Sequence, residues 1–301
     1  MALQTQVWLK TLQENFFPDD SFVAKSENDS QYVENKTVHI PNAGKPSGVK
    51  VNRTSLPAQI QERTDNELTY NIDELTTDPI RISHADSVEL SYDKRSSILK
   101  NDKEELQRVA SELILRSWAK GADAAHPILT DGGEREAHTE QGTGKRKKMT
   151  ANIVHQIAKR MNKQDLPKTG RYLILDTEMY GDLLDSLTEA GRMAFLASAD
   201  VSKGTVGQLY GIDIFSRSEV LRLKANGEII AEPTGGEATE VAAGFAWQSG
   251  CVSHAFGEAK MFSSLDDPTY YSDIYSFLMR VGGSHRRYDK KGIFLVAEGN
   301  V

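Results

Sequence analysis

The amino-acid sequence predicts an α+β fold, and three observations carry that reading. A long amphipathic helix spans about Asp93 to Lys120, a strand–turn–helix unit follows at Thr169 to Leu187, and the last third is rich in strands. At 301 residues the chain suits one large or two modest domains with a real core.

The chain opens with Leu3, Val7, Trp8, Leu12 and Phe16 at helical spacing, so a short amphipathic helix is expected before Pro18-Asp19-Asp20. A polar stretch follows to about Asn35. The opening segment is either a frayed terminus or an arm that orders against a neighbouring subunit, and its five large apolar residues favour the arm.

Thr37-Val38-His39-Ile40 and Gly48 to Arg53 alternate with period two and read as two strands of a hairpin, with the turn-rich Pro41 to Pro46 between them. Leu68 to Ile72 and Ile80-Arg81-Ile82 form a second strand-like set. The intervening Gln59 to Glu67 is polar and contributes nothing to a core. An isolated two-stranded hairpin is marginal in water and needs a surface to lie on. Val38, Ile40, Val49 and Val51 are expected to want cover from another subunit, with Lys45, Lys50 and Arg53 facing an acidic patch there. The plainer alternative is an ordinary edge hairpin.

In the long helix Leu99, Leu106, Val109, Ala110, Leu113, Ile114 and Trp118 form one stripe, opposite Asp102-Lys103-Glu104-Glu105, and Gly121 ends it. Ile128 to Lys148 reads as a Gly- and charge-rich loop. Thr150 is placed to cap a helix with Ile153, Val154, Ile157, Ala158 and Met161 on one face and His155 on the other. Tyr172 to Leu175 is a short apolar strand. Asp176 then caps a helix whose apolar side is Met179, Leu183 and Leu187. Further strands are expected at Ile212 to Phe215, Gly244 to Trp247, Val252 to Phe256, Ser276 to Val281 and Gly292 to Ala297.

No enzyme motif survives inspection. The loop "TEQGTGKRKKMT" has Thr139 where a phosphate-binding loop needs its first Gly, and Arg146 where magnesium needs a Ser or Thr hydroxyl. His138-Thr139-Glu140 matches half of a zinc deaminase signature, but Cys251 is the only cysteine and the other half needs two. Gln248-Ser249-Gly250 lacks the first Gly of a nucleophile elbow, since Trp247 stands there. No histidine pair has metal-ligand spacing backed by a carboxylate, so neither a catalytic residue, a metal nor a cofactor is expected. Asp182, Asp185 and Glu189 are expected on a solvated helix face, and Asp176 as a helix cap alone. Lys145, Arg146, Lys147 and Lys148 offer a contact for DNA or a scaffolding protein, against the plainer reading that they are simply solvated.

With Lys+Arg 36 against Asp+Glu 43, the net charge of -7 carries no global nucleic-acid signal. One cysteine excludes an intramolecular disulfide. The first residues lack the apolar core of a signal peptide, and no stretch is apolar enough for a membrane span, so maturation in a reducing cytoplasm is expected.

The order of these elements, with "GRYLILDTEMYGDLL" (Gly170 to Leu184), "GQLYGIDI" (Gly207 to Ile214), "AFG" (Ala255 to Gly257) and "YSFLMRVGGSHRR" (Tyr275 to Arg287), resembles the major capsid proteins of tailed bacteriophages of the Hong Kong-97 type. The resemblance implies an N-terminal arm (1–35), an extended E-loop β-hairpin (36–82) and a P domain with a long spine helix (83–121). An α/β A domain (122–256) follows, and then a return to the P-domain β-sheet (257–301). It also implies a structural protein of the virion capsid, assembled in the bacterial cytoplasm as pentamers and hexamers into an icosahedral head around double-stranded DNA. Its partners would be copies of itself, a separate scaffolding protein and a portal, with no membrane. Two rivals stand beside this reading: an encapsulin-like compartment holding a protein cargo, and a small α/β hydrolase or nucleotide-binding enzyme.

Overall fold

The structure, a computed structural model, describes residues 22–34, 36–44, 47, 49, 51–52, 54, 60, 62–83, 94–122, 126–199, 205–218, 220–224, 227–230 and 236–300. The expected N-terminal helix lies outside them. The first described strands are β1 (Glu27–Asn28), β2 (Val33–Glu34), β3 (Thr37–Asn42), β4 (Asn66–Asn71), β5 (Asp73–Thr76) and β6 (Ile80–Ser83), followed by helix α1 (Lys94–Ala119). Next come β7 (Ile128–Leu129), β8 (Glu134–Glu136), β9 (Lys145–Lys147), α2 (Ala151–Lys163), β10 (Arg171–Asp176), α3 (Thr177–Ser186) and α4 (Glu189–Ala197). The chain closes with β11 (Thr205–Leu209), β12 (Ile212–Arg217), β13 (Leu221–Leu223), β14 (Val241–Gln248), β15 (Val252–Asp267), β16 (Ser272–His285) and β17 (Ile293–Ala297).

A seven-stranded sheet runs β11-β12-β10-β14-β17-β7, with β13 also on β14. β10 and β12 are parallel, joined by α3, α4 and β11, while β10 and β17 both run antiparallel to β14. Alternation along the strands decides which layer each side chain enters. Leu173 and Leu175 point into a core shared with Ile153, Ile157 and Met161 of α2 and with Met179 and Leu183 of α3, and Ile174 points to the opposite core with α1. Along β14, Val241, Ala243, Phe245 and Trp247 enter the core with α1, and Ala242 and Ala246 enter the one on the α2 side. Trp118 of α1 meets Trp247 at 5.7 Å between ring centres, and Phe22 meets Trp118 edge-on at 5.8 Å.

A second sheet, β1-β15-β16-β5 with β6 also on β16, carries α1 along it. The sequence stripe of this helix is largely as expected. Its buried line is Leu106, Ala110, Ile114, Leu115 and Trp118, with Val109 and Leu113 half-buried at the margin. Two glycines explain "GQLYGIDI". Tyr210 and Gly211 both have positive φ (52° and 77°) in a two-residue turn between β11 and β12, where a glycine is favoured. A Cβ on Gly207 would lie 2.5 Å from the Phe195 ring, so α4 can seat its one buried side chain only against glycine.

Several expectations are corrected. Gly48 to Arg53 is not the partner strand: among its described residues Val51 and Asn52 form a turn, and β3 pairs with β4, Val38 opposite Tyr70 and Ile40 opposite Leu68. Val38 and Ile40 therefore do not wait for a neighbour; they are buried with Tyr70, Ile72 and Ala255 of the same chain. β5 has no apolar alternation and exists because the edge of β16 offers it a ladder, Asp73 opposite Val281. The stretch 128–148 holds a hairpin, β8–β9, rather than a plain loop. β15 runs unbroken across residue 256, and β17 lies in the seven-stranded sheet, between β14 and β7.

Candidate functional site

Among the described residues no group of three His, Cys, Asp or Glu side chains is arranged to hold a metal ion. The described residues include projecting surfaces, a basic hairpin and a buried charge cluster.

The β3–β4 hairpin ends in a tip from Ala43 to Asp65. Arg63 forks both Asp65 oxygens (2.6 and 2.7 Å), and the Gly44 N–H donates to Asp65 at 2.9 Å, which pins the base of that tip. Beyond it Val49 is 93% exposed and Val51 86%, so these two expected contact residues stand bare while Val38 and Ile40 do not. Lys45, Lys50 and Arg53 lie outside the described residues. Other bare apolar groups are Met193 and Leu196 on α4, and Phe262, Leu265, Tyr270 and Tyr271 toward the β15–β16 turn.

The basic run Lys145 to Lys148 is taken up largely within the chain. Arg146 is only 5% exposed and donates to the Glu240 carbonyl at 2.9 Å; Lys145 pairs with Glu134 at 2.8 Å; Lys148 Nζ lies 3.9 Å from Asp182. Arg146 alternates inward on β9 while its neighbours face out, which a run of four like charges conceals. The solvated reading of the whole run is therefore also corrected at Arg146.

Asp182 is corrected too: it is 8% exposed and belongs to a cluster with Arg135, His138, Asp176 and Glu298. Arg135 donates through Nε to Asp182 at 2.7 Å and through Nη2 to Glu298. His138 Nε2 lies 2.8 Å from Asp176 and its Nδ1 3.4 Å from Glu298. Asp176 still caps α3 as expected, accepting from the Met179 N–H at 2.6 Å, and Glu298 accepts from the Ala242 N–H at 3.1 Å. Burial alone would lower the His138 pKa, but its hydrogen bonds to Asp176 and Glu298 outweigh this and hold it at about 9. The close approach of Arg135 Nη1 to His138 Nδ1 suits a neutral ring instead. The charged form fits the whole cluster better, because three carboxylates then face Arg135, His138 and Lys148. These side chains satisfy one another and tie the β8–β9 hairpin to the ends of β10 and β17. Nothing in the sequence signalled this, since its members span Arg135 to Glu298.

No family model and no curated protein matches the sequence. Solved structures do match the fold. The capsid of the cyanophage P-SCSP1u aligns at 18% identity and a TM-score of 0.64 over 90% of this chain and 86% of that one. The capsid of Ralstonia phage GP4 aligns at 12% and 0.67 over 92% and 87%. A virus-like particle from Pyrococcus furiosus aligns at 10% and 0.55 over 97% and 99%. The α+β architecture described above is thus the tailed-phage capsid fold, of the Hong Kong-97 type.

Proposed function

We propose that the chain is a capsid subunit whose copies close into an icosahedral head of pentamers and hexamers around double-stranded DNA. The single observation that carries this is the breadth of the fold match, about nine-tenths of both chains in the cyanophage and Ralstonia phage capsids. The bare apolar residues on three separate projections (hairpin tip, α4 and β15–β16 turn) support it, because rings built head-to-tail need unlike surfaces on each copy. The role is structural rather than enzymatic, in a virion assembled in a bacterial cytoplasm with a separate scaffolding protein and a portal.

Electron microscopy of the purified protein, with nuclease-protected nucleic acid measured in the same sample, tests this reading. Closed particles protecting duplex DNA are expected. Particles filled with one protein cargo would favour an encapsulin-like compartment, and absence of any particle with and without scaffolding protein would overturn the shell reading.

A further inference from the structure

We infer that a basic cleft between the end of α2 and the β16–β17 turn is a contact site for the phosphate backbone of duplex DNA. The inference deepens the proposed function and rests on it for the identity of the polyanion. Two basic segments far apart in sequence, "AKRMNK" (Ala158 to Lys163) and "HRRYDKKG" (His285 to Gly292), meet here. Gln164 staples them, its side-chain oxygen accepting from the Gly292 N–H at 3.0 Å. The cleft encloses about 340 Å³, and Arg160, Lys163 and Lys290 line it.

These three cations are exposed and none has a carboxylate within ion-pair distance among the described residues. Asp289, the carboxylate on the cleft, is already committed. Arg287 forks it through two 2.8 Å contacts, and Lys291 lies 3.4 Å away, which together hold its pKa far below the usual carboxylate range. Three Lys and Arg side chains thus line the cleft beside one carboxylate that Arg287 and Lys291 already neutralise, on a chain whose net charge is -7. Cations in the last turn of a helix are ordinary, since they favour the helix dipole. That accounts for Arg160 and Lys163 but not for Lys290, which reaches the same cleft from another element.

The surroundings favour nucleic acid over an acidic protein. Ile293 and Leu295 on the cleft are buried and Phe294 is half-buried, so the exposed side chains lining it are polar or charged; Tyr288 is the large apolar-bodied side chain left bare on this turn. A protein interface needs an apolar centre, whereas DNA interfaces are polar and strongly positive.

Fluorescence anisotropy of a short labelled duplex against the full chain, over a range of salt, tests the inference. Arg160→Gln, Lys163→Gln and Lys290→Gln combined should weaken binding by about tenfold or more and flatten the salt dependence by roughly three phosphate contacts at about 0.9 each. Lys145→Gln with Lys147→Gln should leave binding unchanged, and Lys163→Arg should bind like the parent. Unchanged affinity and slope in a folded triple variant would overturn the inference. So would a triple variant that binds DNA normally but no longer forms particles, because the patch would then meet another subunit. DNA binding lost in the triple variant of a protein that never forms particles would keep the patch and sink the shell reading instead.

Discussion

The indole Nε1 of Trp118 donates a 2.7 Å hydrogen bond to the carbonyl of Ser253, joining α1 to β15 of the second sheet. Both groups are buried, so the bond cannot be exchanged for one to water. Trp118→Phe removes this bond and part of the indole packing, while the Ser253 carbonyl keeps its place in the β15–β16 ladder. We expect a loss of about 1–3 kcal/mol in denaturant unfolding. A midpoint unchanged from the parent would show that the bond contributes nothing net.

His138 should make stability depend on pH on the alkaline side. Its folded pKa, about 9, is above the ordinary 6.5, so its contribution is fully present below about 6.5 and is lost as pH rises through about 9. Unfolding midpoints measured from pH 6 to 10 should fall in the parent more than in His138→Gln. Parallel curves would place the ring outside the ion cluster.

His254 should act with the opposite sign. Its ring lies 2.7 Å from Ser26 Oγ, and burial lowers its pKa to about 4. Between about 6.5 and 4 the unfolded chain binds the proton and the folded chain refuses it, so stability falls as pH drops through that window. Relative to the parent, His254→Gln should resist acid, with loosening at residues 22–34 seen by hydrogen exchange.

Arg146 should behave as a structural residue. Arg146→Gln removes the 2.9 Å bond to the Glu240 carbonyl and should cost about 1–3 kcal/mol. Lys145→Gln should cost little, because its ion pair with Glu134 is exposed. Equal stability of the two variants would contradict the burial of Arg146.

The hairpin tip should matter for association and not for folding. Replacing residues 47–60 with a short Gly-Ser link leaves the Asn42–Asn66 pairing and the buried Val38 and Ile40 in place. A folded, soluble chain that sediments without forming particles is expected. Intact particles would remove the tip from the assembly contacts.

The elements whose burial follows from their own periodicity were legible in the sequence. The α1 stripe, the five buried residues of α2, the Asp176 cap and strands β10, β12, β14 and β17 declare themselves locally, because a 3.6- or 2-residue period reports which side meets the core; β7, β11 and β13 do not. What the sequence could not show is which distant segments become neighbours. β4 rather than Gly48 to Arg53 completes the hairpin, because its Tyr70 and the following Ile72 close a small core over Val38 and Ile40. The ion cluster from Arg135 to Glu298 and the cleft joining Arg160 to Lys290 are likewise products of sheet order. Charged residues carry no periodic signature of burial, and their energies depend on partners and desolvation that only the folded chain supplies.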